Sequence, residues 1–151
     1  MTDIERLLAI EAIKMVKAKY FYGLDHKDWD LWRREVFASD ASLHVPEFRP
    51  EPWVGIDTII EWVAASTGDQ ISVHHGHMPI IEITSDTTAT AIWAMEDRLY
   101  RTKEYPLDGG HTYLHGFGHY HETYRLTEQG WRIHSTQLTR LRVSMVATVT
   151  G

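Results

Sequence analysis

Between positions 71 and 79 the chain reads Ile-Ser-Val-His-His-Gly-His-Met-Pro, which sets His74, His75 and His77 at the start of an apolar strand pattern. Imidazole titrates nearest neutrality of all side chains, so proton transfer is first sought here. A histidine in an exposed strand is as readily plain polar surface, and its partners decide between the two. His119 and His121 share one face of a later strand pattern, and with His75 and His77 they offer four imidazoles that could in principle hold zinc. None of the fixed-spacing metal motifs occurs, and histidines side by side on a solvated face need no ion, so no metal is expected. There is no cysteine to act as nucleophile or ligand. Dinucleotide loops, phosphate loops and nucleophile elbows are missing too, which leaves a cofactor-independent protein as the expectation.

Positioning such residues falls to two kinds of element in turn. Thr2 and Glu5 form a capping-box pattern ahead of Ile4, Leu7, Leu8, Met15 and Val16, which predicts a helix over residues 3–22 ended by Gly23, with Asp25 just past it. Asp28 is suited to cap a second helix over 29–37, residues 41–45 read as a short strand, and Pro46, Pro50 and Pro52 mark a loop. A third helix from Asp57 carries Ile59, Ile60 and Val63 on one stripe, with Ile56 just ahead of it. From Val73 onward Thr, Ile, Val, Tyr and Trp dominate, predicting strands over 74–83, 87–100, 113–126 and 131–143, with 145–151 a weakly held tail. Helices first and an antiparallel meander afterwards is an α+β order, and curved strands packed on three helices would enclose a cavity lined by alternate strand residues.

Strand parity then selects the cavity face. Trp93, Met95, Asp97 and Leu99 share one face, so Asp97 is a charge on an otherwise apolar surface and must be paired, protonated or wet. Gly118, Tyr120, Glu122 and Tyr124 share a face of the next strand, where Tyr120 can both stack and donate a hydrogen bond. The last strand has no cleanly apolar face, and its Arg140 is a candidate for holding an anionic substrate group.

Composition bounds the rest. The 151 residues suit a single domain spanning 1–151, with a formal net charge of −6 and no basic run able to track a phosphate backbone, so nucleic acid is not expected as a partner. No segment approaches the roughly 20 apolar residues that span a bilayer, and the first residues lack the pattern of a signal peptide, so a soluble cytoplasmic protein is expected. Six Trp among 17 aromatic residues favour a large apolar cavity or interface.

Three segments carry a family likeness: Gly23-Leu24-Asp25-His26-Lys27-Asp28-Trp29-Asp30, then Val73-His74-His75-Gly76, then Gly130-Trp131-Arg132-Ile133. Together they resemble the SnoaL-like and scytalone dehydratase-like branch of the cone-shaped fold typified by nuclear transport factor 2, over about Ile4 to Val143. The resemblance implies three N-terminal helices packed in a strongly bent, mainly antiparallel β-sheet. It also implies a dyad in which His74 removes a substrate proton and Asp25 orients it, with Tyr20 polarising a substrate oxygen and Asp97 as a second acid deep in the cavity. Leu24 stands where scytalone dehydratase has tyrosine, and Gly118, Tyr120 and Leu99 fall near its serine, asparagine and second histidine, which argues against scytalone as substrate. The expected activity is a dehydratase-type lyase acting on a hydrophobic cyclic or polycyclic molecule, with Trp93, Tyr120 and Arg140 contacting the substrate. The same fold serves polyketide cyclases, ketosteroid-type isomerases and domains that only bind ligands or partners. An exposed curved sheet commonly buries itself against further copies, so a dimer or trimer is expected.

Overall fold

The computed structural model describes residues 1–147. The capping box forms: the Glu5 N–H donates to the Thr2 hydroxyl at 3.2 Å, and the Thr2 N–H donates to the Glu5 carboxylate at 2.6 Å. Helix α1 (Asp3–His26) runs through Gly23 and stops at Lys27, whose φ of 56° lies in the left-handed region. Gly23 serves close packing instead of termination, because a Cβ there would lie 2.7 Å from Cδ1 of Trp32. Asp25 consequently stands in the last turn of α1 and not beyond it. The helix phase differs as well: Ile4, Leu7, Leu8 and Met15 face solvent, while Ala9, Ile13, Val16, Tyr20 and Leu24 form the buried side.

Asp28 caps α2 (Trp29–Leu31) by accepting from the Leu31 N–H at 3.0 Å, and the chain continues as one π-helical turn over Trp32–Val36. That turn sinks the fully buried Trp32 and Val36 into the core and lets β1 (Phe37–His44) begin four residues earlier than residue 41. After the proline-rich loop come β2 (Trp53–Val54) and α3 (Ile56–Thr67), which buries Ile56, Ile59, Ile60 and Val63 as its stripe predicts.

The β half holds β3 (Ile71–Gly76), β4 (Ile80–Ile83), β5 (Thr88–Tyr100), β6 (Tyr113–Thr127) and β7 (Gly130–Val146). The expected single strand over 74–83 is two, both paired to β5, with His77, Met78 and Pro79 turning between them; Pro79 has no N–H for a ladder. The seven-stranded sheet has the order β2-β1-β7-β6-β5-β3, with β4 also on β5, and only the β1–β7 pairing is parallel. This is the mainly antiparallel α+β cone. Met145 and Val146 belong to β7, and the remainder of the expected tail from residue 148 onward lies outside the described residues.

The last strand resisted orientation for a physical reason. The β6–β7 register skips His134 and again Leu141, so each bulge shifts the side-chain alternation by one residue. Trp131 and Ile133 point inward, then Thr136, Leu138 and Arg140, then Val143 and Met145. Among the described residues no helix is long and apolar enough to cross a membrane.

Candidate active site

Strand β3 lies at the edge of the sheet, and the last turn of α1 lies beside it. Asp25 accepts three hydrogen bonds across this junction: from the His74 backbone N–H at 3.0 Å, from the Ser72 hydroxyl at 2.9 Å and from His74 Nδ1 at 2.6 Å. Burial works against the Asp25 charge, but these bonds and the nearby imidazole hold its carboxyl below the ordinary value. An ionised carboxylate only accepts, so Nδ1 carries the proton and the lone pair of Nε2 is left for the other side. There the cavity opens.

His74 is paired in register with Asp97 on β5, and Nε2 lies 4.0 Å from Asp97 Oδ2. Asp97 is 2 % exposed and receives two hydrogen bonds from Arg140, each 2.9 Å, while Arg140 Nε donates to Glu47 at 3.1 Å. Burial disfavours the Arg140 cation, yet the Asp97 bonds and charge raise its pKa above the usual value. Gly116 is a condition of this pair, since a Cβ at that position would collide with the guanidinium and with Asp97. Arg140 therefore neutralises a buried acid, and its bonds to Asp97 and Glu47 leave an anionic substrate group to compete with two carboxylates.

Tyr20 and Tyr120 complete the inner wall. Their rings meet edge to face with centroids 5.7 Å apart, and Tyr20 also stacks on Trp32 at 5.0 Å. Burial raises both phenols well above the ordinary tyrosine value, so both remain O–H donors at neutral pH. The cavity measures about 840 Å³ and extends from Tyr20, His74, Asp97 and Tyr120 to a wall of Phe48, Trp53 and Trp62. Such a volume suits a drug-sized apolar ligand.

Of the residues singled out in the sequence, Tyr20, His74, Asp97, Tyr120 and Arg140 line this cavity, and Asp25 sits directly behind His74. Trp93 does not line it: the ring is packed in the core, where its indole N–H donates to the Tyr124 hydroxyl at 3.2 Å. It shares the inward face of β5 with Asp97 but lies farther along the strand, beside Tyr124. Among the described residues no group of three or more His, Asp or Glu side chains is placed to hold a metal. His77 and His115 instead approach Glu96 at 3.7 and 2.7 Å.

Two features escaped the sequence reading. Glu47 lies in the proline-rich loop, where nothing in its neighbours marks it. Lys17 is fully buried and 2.6 Å from the buried Glu122, which also accepts from Thr136 at 2.8 Å and from the Tyr124 hydroxyl. The signal was available, because Lys17 falls on the Ile13, Val16, Tyr20 and Leu24 side of α1, and Glu122 shares parity with Tyr120 and Tyr124.

A bent sheet closed by helices over a cavity with a carboxylate-held histidine defines an α+β cone of the nuclear transport factor 2-like kind. The chain belongs to the SnoaL-like domain family, whose model matches residues 5–137. The Kfla4162 protein of Kribbella flavida superposes with a TM-score of 0.82 at 22% identity, over 92% of this chain and 95% of that one. Hexachlorocyclohexane dehydrochlorinase LinA-type3 of Novosphingobium barchaimii gives 0.81 at 15% identity over 99% and 98%. A Novosphingobium aromaticivorans protein provisionally named scytalone dehydratase gives 0.79 at 18% identity over 99% of both chains. At these identities the likeness is one of fold.

Proposed function

We propose that this protein is a cofactor-independent lyase that eliminates water, or another small leaving group, from a neutral, hydrophobic, cyclic β-substituted carbonyl compound. The observation that carries the reading is the His74 Nδ1–Asp25 bond of 2.6 Å with Nε2 turned to the cavity. His74 Nε2 takes the proton from the carbon beside the carbonyl, and the electron pair moves into an enolate. Asp25 fixes the tautomer and stabilises the imidazolium that results. Tyr20, with Tyr120 beside it, donates to the carbonyl oxygen as it gains charge. Collapse of the enolate forms the new double bond as the bond to the leaving hydroxyl breaks, and the imidazolium proton leaves with it as water. Asp97, paired with Arg140 through two hydrogen bonds, would accept a hydrogen bond from a substrate hydroxyl.

The LinA-type relative is named for a dehydrochlorination, also an elimination, which supports the lyase class. Outward-facing Ile92, Tyr100 and Phe117 support reading the outer sheet face as the place where copies of the chain associate.

The test is a panel of hydrophobic cyclic β-hydroxyketones followed by the absorbance of the conjugated enone. Turnover should vanish in His74→Ala and fall by about 10² to 10⁴ in Asp25→Asn, since an amide can orient the ring without stabilising its cation. An isomerised or ring-closed product with no loss of water would move the reading to an isomerase or a cyclase using the same base. Full activity in His74→Ala would sink the dyad.

A further inference from the structure

Lys17 has no part in the chemistry described so far, yet its placement is costly. Its ammonium is fully buried, and an apolar pair could fill the space of Lys17 and Glu122 without taking two charges out of water. Glu122 spends its remaining capacity on Thr136 and Tyr124. The ammonium itself lies 3.6 Å from the centroid of Tyr120 and 3.8 Å from that of Tyr20, with Phe21 at 4.9 Å. Both near rings are the phenols of the cavity wall.

A cation against an aromatic face is attracted to the ring, fixes its orientation and withdraws electron density from it. For a phenol the consequence is a stronger O–H donor. In a dry site a fixed cation also lowers the cost of negative charge on whatever that donor touches. We propose that Lys17 is a positioning residue, which holds Tyr20 and Tyr120 by their ring faces and polarises their hydroxyls toward a substrate oxygen that gains negative charge. The proposal rests on the oxyanion role given to these tyrosines. Burial draws the ammonium down to about 8 against the pull of Glu122, whose carboxylate lies 2.6 Å from it. The charged and titratable groups that face it are Tyr20 on α1 and Tyr120 and Glu122 on β6.

The experiment uses 2-naphthol, an aromatic alcohol whose anion mimics an enolate and absorbs at longer wavelength than the neutral form. Affinities of naphthol and naphtholate are compared in the wild type, in Tyr20→Phe and in the double variant Lys17→Met with Glu122→Gln, which removes both charges together. Should the methionine variant fail to fold by circular dichroism, Lys17→Gln with Glu122→Gln keeps a hydrogen bond across the same gap. The wild type should prefer the anion, and the double variant should lose about tenfold of that preference while still binding neutral naphthol. An anion preference equal in wild type and double variant, yet reduced in Tyr20→Phe, overturns the role of Lys17 and leaves the oxyanion site standing. No binding, or no anion preference in the wild type, overturns the oxyanion reading and the role of Lys17 with it.

Discussion

Asp25 has more donors than an orienting carboxylate requires, and the excess has a purpose at the edge of a sheet. Its bond to the His74 N–H satisfies a backbone donor that β3 does not give to a neighbouring strand, so one side chain both finishes the sheet edge and fixes the imidazole. The Nδ1 proton in so short a bond should resonate far downfield in the proton NMR spectrum and be missing in Asp25→Asn. The pH dependence has a definite sign. The folded carboxyl ionises below its unfolded value near 3.8, so the unfolded chain takes up the proton first as pH falls. The stabilisation is present above that value and is lost as pH falls through the folded one. The gap in melting temperature between wild type and Asp25→Asn should therefore narrow in acid; a gap that widened there would contradict the bonding at Asp25. At Lys17 the expectation is energetic: Lys17→Met alone should cost about 3–5 kcal/mol in denaturant unfolding by stranding Glu122, and adding Glu122→Gln should restore much of it.

Among the elements, β7 decides which way Arg140 points. Strict alternation from Ile133 would turn Arg140 outward; the extra residue at His134 turns it back inward, and a β7 without that shift of phase would leave Asp97 buried without its partner. Gly116→Ala is a probe of this pair, expected to destabilise by about 1–3 kcal/mol because the added methyl meets the two side chains. Unchanged unfolding of Gly116→Ala would mean that the pair is looser than described. These same features separate what was legible in the chain from what was not. Alternation along β5 and β6 is uninterrupted in the cavity half, so Asp97 and Tyr120 could be placed by parity alone. Bulges carry no composition of their own, so β7 could not be oriented. The phase of α1 is not legible in the sequence because Leu7, Leu8 and Met15 are large apolar residues on its wet side, whereas the buried side includes a lysine. Gly23 looked like a helix stop, and only the position of Trp32 reveals its use in packing.

For the molecule as a whole, the outer sheet face should bury surface between copies, giving a dimer or trimer by light scattering after size exclusion. Phe117→Glu should shift that mass toward the monomer while the internal dyad is retained; a monomeric wild type would remove the proposal. The cone also joins distant parts of the chain at one point, for Asp25 and His74 are 49 positions apart and meet only where α1 seats against β3. Their shared proton is thus a built-in gauge of docking. If the helix loosens under denaturant before the sheet melts, the downfield signal will fade ahead of the strand amides, and the base will fall silent in a protein that is still largely folded.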